Sequence, residues 1–238
     1  MTETLFIADL HLSPQTSELV EKSIIFFKTR AQQADALYIL GDLFEVWLGD
    51  ETAVAYQPIM MALHELSQST PVFIMRGNRD FLLGQQFAQL SGCSLITEDA
   101  KKIDIYGMPT LIMHGDTLCT LDVAYQQFRQ QVRDPEWQQQ FLSYPIEQRK
   151  ALAQQAREQS QAETQQKQTE IMDVTSEVVA EVMQQHQVSD LIHGHTHRPT
   201  IHELKAGAKR YVVGDWKAEA KTQILSCRPN QTWLLDSI

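Results

Sequence analysis

Polar side chains of three kinds, Asp, Asn and His, stand where the apolar runs of this sequence end. The stretch "DLIHGHTHRP" is the densest case, because His193, His195 and His197 occupy alternate positions in it. If the stretch begins as a strand, alternate side chains point the same way, and three imidazoles would crowd one face. Neither a core nor a solvated loop requires such an arrangement, so the pattern indicates that a group is bound there.

The same design recurs along the chain. The candidate residues are Asp9 and His11 in "ADLH", Asp42 in "LGD", Asn78 and Arg79 in "RGNRD", His114 in "MHGD", and His195 and His197 in "HGHTH". Mixed carboxylate, imidazole and amide-oxygen ligands suit Mn²⁺, Fe²⁺ or Zn²⁺ better than a thiolate site would. Two ions roughly 3.5–4 Å apart need a bridging carboxylate. Asp42 is the candidate bridge, because its turn falls between the two sets of ligands.

Each motif alone has an ordinary explanation. A Gly-Asp pair is usually a turn, and a histidine before glycine is often a core residue with satisfied hydrogen bonds. The order of five such motifs, each at a predicted strand end, favours the metal interpretation. The remaining histidines belong to none of these motifs and are interpreted as surface or helix residues: His64, His186 and His202.

The elements that must position these residues alternate between strand and helix in the first part of the chain. "TLFIADLH", "ALYILGD" and "VFIMRGN" each read as a buried strand followed by a sharp turn. Helical patterns lie between them, roughly at Glu18–Gln33 and Tyr56–Ser67. Strand–helix–strand alternation predicts a sheet built from βαβ units, in which ligands bind at the strand ends.

The pattern changes after Cys93. "KKIDIYG" and "TLIMHGD" flank a Met-Pro turn and predict a hairpin. From Asp122 to about Gln187 the chain is rich in Gln, Glu and Arg, which predicts a helical insert. Strands are predicted again in "DLIHGH", "PTIHELK", "KRYVVGDW", "TQILSC" and "QTWLLD".

Composition excludes several classes of protein. The 238 residues, 43% hydrophobic and 21% charged, are typical of one globular domain. We expect neither a membrane span nor a signal peptide, because no run of eighteen apolar residues occurs and "MTETLFIADLH" lacks a basic start. The net charge of -10 argues against nucleic acid as a partner. Three scattered cysteines predict reduced thiols and a cytoplasmic location.

The series "DLH … GD … GNRD … HGD … GHTH" resembles the calcineurin-like metallophosphoesterase superfamily. Within it, "LGDLFEVWLGD", "GNRDFLLG" and "HGDTLCTLDVAYQQFR" are similar to the pyrophosphatases that act on UDP-2,3-diacylglucosamine in lipid A biosynthesis of Gram-negative bacteria. The resemblance covers nearly the whole chain. It implies one domain over residues 1–238 with a four-layer α/β/β/α sandwich, and a helical insert at about 122–187 that forms a lid.

The resemblance also implies a reaction and a set of ligands. The sugar nucleotide would be hydrolysed to UMP and 2,3-diacylglucosamine 1-phosphate (lipid X) with two Mn²⁺ ions per chain, Fe²⁺ or Zn²⁺ being possible substitutes. One ion would be held by Asp9, His11, Asp42 and His197, and the other by Asp42, Asn78, His114 and His195. The predicted substrate contacts are Asn78, Arg79, Asp122, Ser160, Thr164, Lys167 and His195. Thr164 departs from the family, whose members usually carry Asn at that position.

Arg79 carries information about the leaving group. Most of the superfamily has "GNH" where this chain has "GNR". A histidine there can protonate an alkoxide, whereas an arginine, with its pKa above about 12, can only neutralise phosphate charge. A phosphoanhydride fits this change, because its leaving group is itself a phosphate. The predicted catalytic residues are therefore Asn78, Arg79, His114 and His195, acting with a metal-activated water.

The helical insert is predicted to meet the lipid. The segment from Val123 to Glu170 has six basic and six acidic residues, so the rest of the chain carries the whole net charge. Aromatic and aliphatic residues alternate there with basic ones: Trp137, Phe141, Leu142, Tyr144, Ile146 and Leu152, with Arg129, Arg133, Arg149, Lys150 and Arg157. An ordinary amphipathic helical pair is the alternative explanation. We expect a monomer lying peripherally on the cytoplasmic face of the inner membrane.

Two other functions are compatible with parts of this pattern. A soluble pyrophosphatase or phosphodiesterase acting on another nucleotide derivative would need no aromatic insert. A non-catalytic scaffold of the same fold would have lost one or more ligands, such as Asp9, Asp42, Asn78 or His195, and this sequence keeps all four.

Overall fold

Two β-sheets packed face to face form the centre of the protein. The computed structural model describes residues 2–164 and 173–237, with the backbone alone described at 161–164. The strands of the first sheet are β1 (Thr4–Ile7), β2 (Ala36–Leu40), β3 (Val72–Met75), β4 (Ser94–Ile96), β10 (Gln223–Cys227) and β11 (Trp233–Ser237). Their order is β11-β10-β1-β2-β3-β4. The four strands from β1 to β4 are parallel, and β10 and β11 extend the sheet as antiparallel neighbours.

The second sheet contains the later strands. Its members are β5 (Ala100–Ile105), β6 (Met108–Met113), β7 (Asp190–His193), β8 (Thr200–Glu203) and β9 (Lys209–Val212). Their order is β5-β6-β7-β9-β8, with a parallel centre of β6, β7 and β9. The predicted hairpin is confirmed as the antiparallel pair β5 and β6.

Helices connect and cover these strands. The first three are α1 (Ser17–Lys28), α2 (Gln57–Ser67) and α3 (Gln85–Ser91). Among the described residues, four more helices lie between β6 and β7: α4 (Val123–Arg133), α5 (Pro135–Ser143), α6 (Ile146–Thr164) and α7 (Ser176–His186). In the described ranges, no helix is both long and apolar enough to cross a membrane.

Three apolar clusters hold the layers together. One lies between the first sheet and the early helices, and includes Ile39, Phe27 and Leu63. A second lies between the two sheets, where Phe6 and Leu40 meet Ile192. The third joins the second sheet to α7 through residues such as Leu191 and Met183. The order helix, sheet, sheet, helix confirms the predicted four-layer α/β/β/α sandwich.

The predicted elements agree with the observed ones, but α3 and β4 were not predicted, and two of the predicted elements differ in detail. The helix predicted at Glu18–Gln33 is α1 followed by a short 3₁₀ helix at Ala31–Gln33. Strand β7 ends at His193, so the prediction that the three histidines share one strand face is wrong. His195 and His197 lie in the turn beyond β7, where both have positive φ.

Arginines of the predicted insert bind to the body of the protein instead of facing outward. The contacts are Arg129 with Asp99 and Asp116, Arg133 with the Gly77 carbonyl, Arg149 with the Leu48 carbonyl and Glu51, and Arg157 with Glu45. Lys150 pairs locally with Glu147 and stays exposed. The basic side chains expected to meet anionic lipid therefore mainly attach the helices to the body.

Candidate metal centre

The predicted ligands all stand at the carboxyl ends of parallel strands. Asp9 and His11 follow β1, Asp42 follows β2, and Asn78 follows β3 in the first sheet. His114 follows β6, and His195 and His197 follow β7 in the second sheet. The two sheets present these ends on the same side, and the seven side chains converge into one centre.

One group of ligand atoms surrounds a point between the turns after β1 and β7. The Nε2 atoms of His11 and His197 lie 3.3 Å apart. Asp9 Oδ1 lies 3.4 Å from His197 Nε2, and Asp42 Oδ2 lies 3.9 Å from His11 Nε2. These atoms belong to the four residues predicted for the first ion, and Asp9, His11 and His197 offer three ligand atoms within 4.8 Å of one another.

A second group lies beside the first. Asn78 Oδ1 is 2.8 Å from His114 Nε2 and 2.9 Å from His195 Nδ1. Asp42 Oδ1 lies 3.7 Å from His114 Nε2. The two oxygens of Asp42 thus face different groups, which is the geometry that a bridging carboxylate requires.

Burial and the charges of the centre shift its pKa values in both directions, and the neighbouring carboxylates outweigh burial to raise the pKa of His114 and of His197. Burial lowers the pKa of His11 and of His195 to about 4, so both imidazoles are neutral at pH 7 and keep a lone pair for a metal. Burial raises the pKa of Asp42 to about 7, and the neighbouring carboxylates add to the shift. A divalent cation would restore the ionised carboxylate, because its charge is the largest in such a site.

A buried carboxylate oxygen without a hydrogen bond is a further indication of metal binding. Asp9 is fully buried, and its Oδ1 has no hydrogen-bond partner among the residues that the structure describes. Its other oxygen accepts the backbone N–H of His195 at 2.8 Å. Its nearest imidazole nitrogen, His197 Nε2 at 3.4 Å, makes no hydrogen bond of normal geometry with it, and coordination to a metal would satisfy this buried oxygen. The donor set of carboxylate, imidazole and amide oxygen therefore fits divalent metals.

The backbone of this centre is unusual. Asp9, His11, Asp42, His195 and His197 all have positive φ, between 49° and 66°. This left-handed region is uncommon for residues other than glycine, and such strain concentrates at functional sites. Each turn thereby directs a short polar side chain into the centre immediately after a strand ends.

Glycines allow the turns to approach each other. A Cβ on Gly77 would lie 2.1 Å from Asp42 Oδ1, and one on Gly194 would lie 2.5 Å from Asp9 Oδ2. Any larger residue at either position would displace a carboxylate of the centre.

Asp80 is a residue of the site that the sequence reasoning did not select, although it is the last letter of "GNRD". It is completely buried and accepts four backbone N–H groups. The donors are Gly77 at 2.7 Å, Leu43 at 2.8 Å, and Asp42 and Phe44 at 3.3 Å. One carboxylate therefore joins the turn after β2 to the turn after β3.

His193 takes no part in either group of ligand atoms. It is fully buried, with Nδ1 at 2.8 Å from the Gly194 carbonyl and Nε2 at 2.9 Å from the Arg210 guanidinium. Burial, together with the Arg210 charge, lowers its pKa to about 3. His193 is therefore a neutral imidazole that accepts a hydrogen bond from Arg210, and its role is structural.

Arg79 reaches the mouth of the centre. Its backbone N–H donates to Asp42 Oδ1 at 2.8 Å, and its side chain is about one-third exposed. The guanidinium lies 3.6 Å from Glu45 Oε1 and has no ligand atom to offer. Its position suits contact with an anionic substrate better than support of a metal.

The other predicted substrate contacts lie on the insert. Asp122 caps α4 by accepting the Tyr125 backbone N–H at 3.1 Å, and Ser160 is exposed on α6. Thr164 ends α6, but its side chain lies outside the described residues, as does the whole of Lys167. The roles assigned to these four residues stay predictions.

An apolar cavity of about 350 Å³ lies among the helices of the insert. Trp137 and Phe141 stack in its wall with ring centroids 5.0 Å apart. Trp137 also packs against Phe81, two residues beyond Arg79, with ring centroids 6.4 Å apart. Phe141 is buried in the main core, so it supports the fold as well as the cavity.

Comparison with known proteins agrees with this fold and site. Residues 3–199 match the calcineurin-like phosphoesterase family. The chain therefore belongs to that family, which makes it a hydrolase whose site serves divalent metals.

Among its relatives are proteins with the same name from three bacteria. A "UDP-2,3-diacylglucosamine hydrolase" of Stenotrophomonas maltophilia is 49% identical, and the match covers 90% of each chain. Proteins of that name from Azotobacter vinelandii and Coxiella burnetii are 45% and 46% identical, with at least 90% of each chain covered.

Solved structures share the fold at low identity. An archaeal phosphodiesterase has a TM-score of 0.53 at 12% identity, with 99% of both chains covered. A dimetal phosphatase from Danio rerio has a TM-score of 0.50 at 14% identity, with 94% of this chain and 91% of the other covered.

Proposed function

We propose that this protein hydrolyses the pyrophosphate bond of UDP-2,3-diacylglucosamine, giving UMP and 2,3-diacylglucosamine 1-phosphate, in lipid A biosynthesis. The observation that carries the proposal is Arg79 beside the residues that would hold two metals, in a chain nearly half identical to hydrolases named for this substrate. An arginine supplies charge but no proton, which matches an anhydride whose leaving group is a phosphate.

The proposed ligands divide as the geometry groups them. Asp9, His11, Asp42 and His197 would hold one ion, and Asp42, Asn78, His114 and His195 the other. We assign Mn²⁺ to both positions, because the oxygen and imidazole donors suit it. When bound, the two ions would supply a nucleophile from water at neutral pH and neutralise phosphate charge.

Residues of the chain would position the substrate around these ions. Arg79 would bind the phosphates through its forked guanidinium and stabilise charge that develops on them. Asn78 and His195 would contact the phosphate next to Arg79. Their atoms Oδ1 and Nδ1 lie 2.9 Å apart. The sugar and the diacyl end would extend toward the insert, to contacts at Asp122, Ser160, Thr164 and Lys167.

The insert, at about 122–187 of a single domain, would act as the lipid-binding lid. Its cavity of about 350 Å³, lined by Phe128, Trp137 and Leu152 among others, is suited to an acyl chain. Exposed apolar side chains occur on the same helices and the segments joining them: Leu121, Val123, Phe128, Leu142, Ile146 and Leu152. These would hold the protein, as a monomer, peripherally on the cytoplasmic face of the inner membrane.

Product analysis tests the proposal. Purified protein loaded with Mn²⁺ is incubated with UDP-2,3-diacylglucosamine, with UDP-N-acetylglucosamine and with UDP-glucose. We expect UMP and the diacyl sugar phosphate from the first substrate, and at least about 100-fold slower turnover of the other two, because they lack the acyl chains. Equal turnover of all three would instead support a general nucleotide pyrophosphatase.

A further inference from the structure

Glu45 lies between the candidate metal centre and the insert, and it belongs to neither group of ligand atoms. It follows the Asp42 turn, and its side chain is about one-fifth exposed. Its Oε2 lies 3.4 Å from His11 Nδ1, on the side of the imidazole that faces away from His197. Its Oε1 pairs with the guanidinium of Arg157 on α6 and lies 3.6 Å from that of Arg79.

The two oxygens of Glu45 therefore contact different parts of the fold. Oε2 contacts Nδ1 of His11, whose opposite nitrogen, Nε2, belongs to the first group of ligand atoms. A carboxylate at the distal nitrogen of a metal-bound imidazole fixes the orientation of the ring and its tautomer, and raises its basicity. Oε1 binds Arg157 and so holds α6, which carries Ser160 one turn later.

The histidines of the first group differ from His114 of the second in this respect. His197 also has a carboxylate beyond its far nitrogen, with Nδ1 at 3.7 Å from Asp215 Oδ2. His114 has a neutral partner, the Leu40 carbonyl at 2.8 Å from Nδ1. Carboxylates outside the group of Asp9, His11 and His197 therefore contact the far nitrogens of both its histidines. Of these carboxylates, Glu45 is the one that also contacts the insert, among the residues described.

We propose that Glu45 is a positioning residue that couples occupation of the first metal position to the docking of α6. Metal binding orients His11, His11 fixes Glu45, and Glu45 holds Arg157, so a bound ion stabilises the helix against the body. By linkage, docking of α6 strengthens metal binding by the same factor. The inference rests on the proposed assignment of His11 as a metal ligand.

The experiment measures metal binding and helix protection on the full chain, without substrate. Mn²⁺ affinity is measured by calorimetry, and hydrogen exchange of residues 146–160 is followed by mass spectrometry with and without Mn²⁺. In the unsubstituted protein, Mn²⁺ should slow exchange in this segment. In Glu45→Gln, we expect Mn²⁺ affinity at one position to fall about 10-fold or more, with loss of the metal-dependent protection.

Glu51→Gln is the matched control. Glu51 pairs with Arg149 on the same helix, and in the described part of the chain its ion pair involves no proposed metal ligand. This variant should raise exchange in α6 both with and without Mn²⁺, but it keeps the Glu45–Arg157 pair, so Mn²⁺ should still slow the exchange. Mn²⁺ affinity should stay within about 2-fold as long as α6 remains mainly docked. Arg157→Met removes the link from the other side, so it should abolish the metal effect on exchange and leave His11 with its carboxylate.

Two outcomes overturn different statements. Wild-type Mn²⁺ affinity in Glu45→Gln, with metal-dependent protection of α6 intact, would refute the role of Glu45. Unchanged Mn²⁺ stoichiometry in His11→Ala would refute the ligand assignment itself. Circular dichroism of each variant identifies one that has lost its fold, and Arg157→Met then decides the question of coupling alone.

Discussion

Filling the apolar cavity of the insert should shorten the acyl chain that the protein accepts. Ala156 lies half-buried on α6 and contributes to the cavity wall. Replacing it with Trp places a large ring in a space of about 350 Å³. Phe141, which lies in the same wall, is a poorer choice because it is buried in the main core, and truncation there would cost about 3–5 kcal/mol of stability.

The size of the effect follows from the volume. At roughly 30 Å³ for each methylene, about the share of a water molecule in the liquid, the cavity holds on the order of a dozen methylenes. A tryptophan ring would displace roughly four of them. Each buried methylene contributes about 0.8 kcal/mol, or close to 4-fold in kcat/KM, for chains that enter from water.

The assay is a series of UDP-diacylglucosamines of increasing chain length, below the concentrations at which they form micelles. In the unsubstituted protein kcat/KM should rise with each added methylene until the cavity is full. In Ala156→Trp the rise should stop about four carbons earlier, with equal rates for the shortest chains. Ala151→Trp, at an exposed position of the same helix that does not line the cavity, should behave like the unsubstituted protein.

An unchanged dependence on chain length in Ala156→Trp would refute the assignment of this cavity to an acyl chain. A uniform loss on all substrates, including a small phosphodiester without acyl chains, would show that the substitution damages the centre or the fold.

Further predictions concern the centre, its support and the thiols. Asp42→Asn should lower metal content below one ion per chain and activity by several orders of magnitude; two ions with near-normal turnover would contradict the bridging role. Arg79→His should keep both ions, measured by elemental analysis, and slow anhydride hydrolysis by about 2–4 kcal/mol of activation free energy. Asp80→Asn keeps one oxygen and replaces the other by an NH2 donor, so two of the four backbone hydrogen bonds should be lost, and with them about 3–6 kcal/mol of unfolding free energy in urea titration, at about 1.5–3 kcal/mol per charged hydrogen bond. The three thiols are buried and burial raises the pKa of each to about 12, so dithionitrobenzoate at pH 8 should react with fewer than one per native chain and with all three in urea.

The position of the proposed metal centre could be predicted from the sequence for a simple reason. Parallel strands end on one side of a sheet, so polar residues that directly follow apolar runs must meet there. Asp9, Asp42 and His114 follow their strands by at most two residues, and little freedom is left in where they point. The alternation of strand and helix predicted a sheet built from βαβ units, whereas the four-layer order was implied by the resemblance to the metallophosphoesterases.

The partners of residues outside the strand ends could not be predicted in this way. Arg133 and Arg157 looked like lipid-facing charges, because a local pattern does not show which carbonyl or carboxylate another part of the chain will present. Asp80 was overlooked because its four partners are backbone groups, which no motif of side chains records. Phe141 was predicted to meet the lipid, and its place in the main core was not predicted, because that cluster also contains residues distant in sequence.

The left-handed backbone at five proposed ligands bears on how this sequence responds to selection. Glycine adopts positive φ at little cost, whereas other residues lose about 1–2 kcal/mol there. Glycine at Asp9 or His197 would therefore favour the metal-free fold locally while removing a ligand. A library selected only for thermal stability without metal should drift toward glycine at these positions, and one selected for turnover should keep Asp and His. The amino-acid frequencies of the two selected libraries would differ most at the residues with positive φ. Such a difference identifies the residues that are retained for chemistry at the expense of stability.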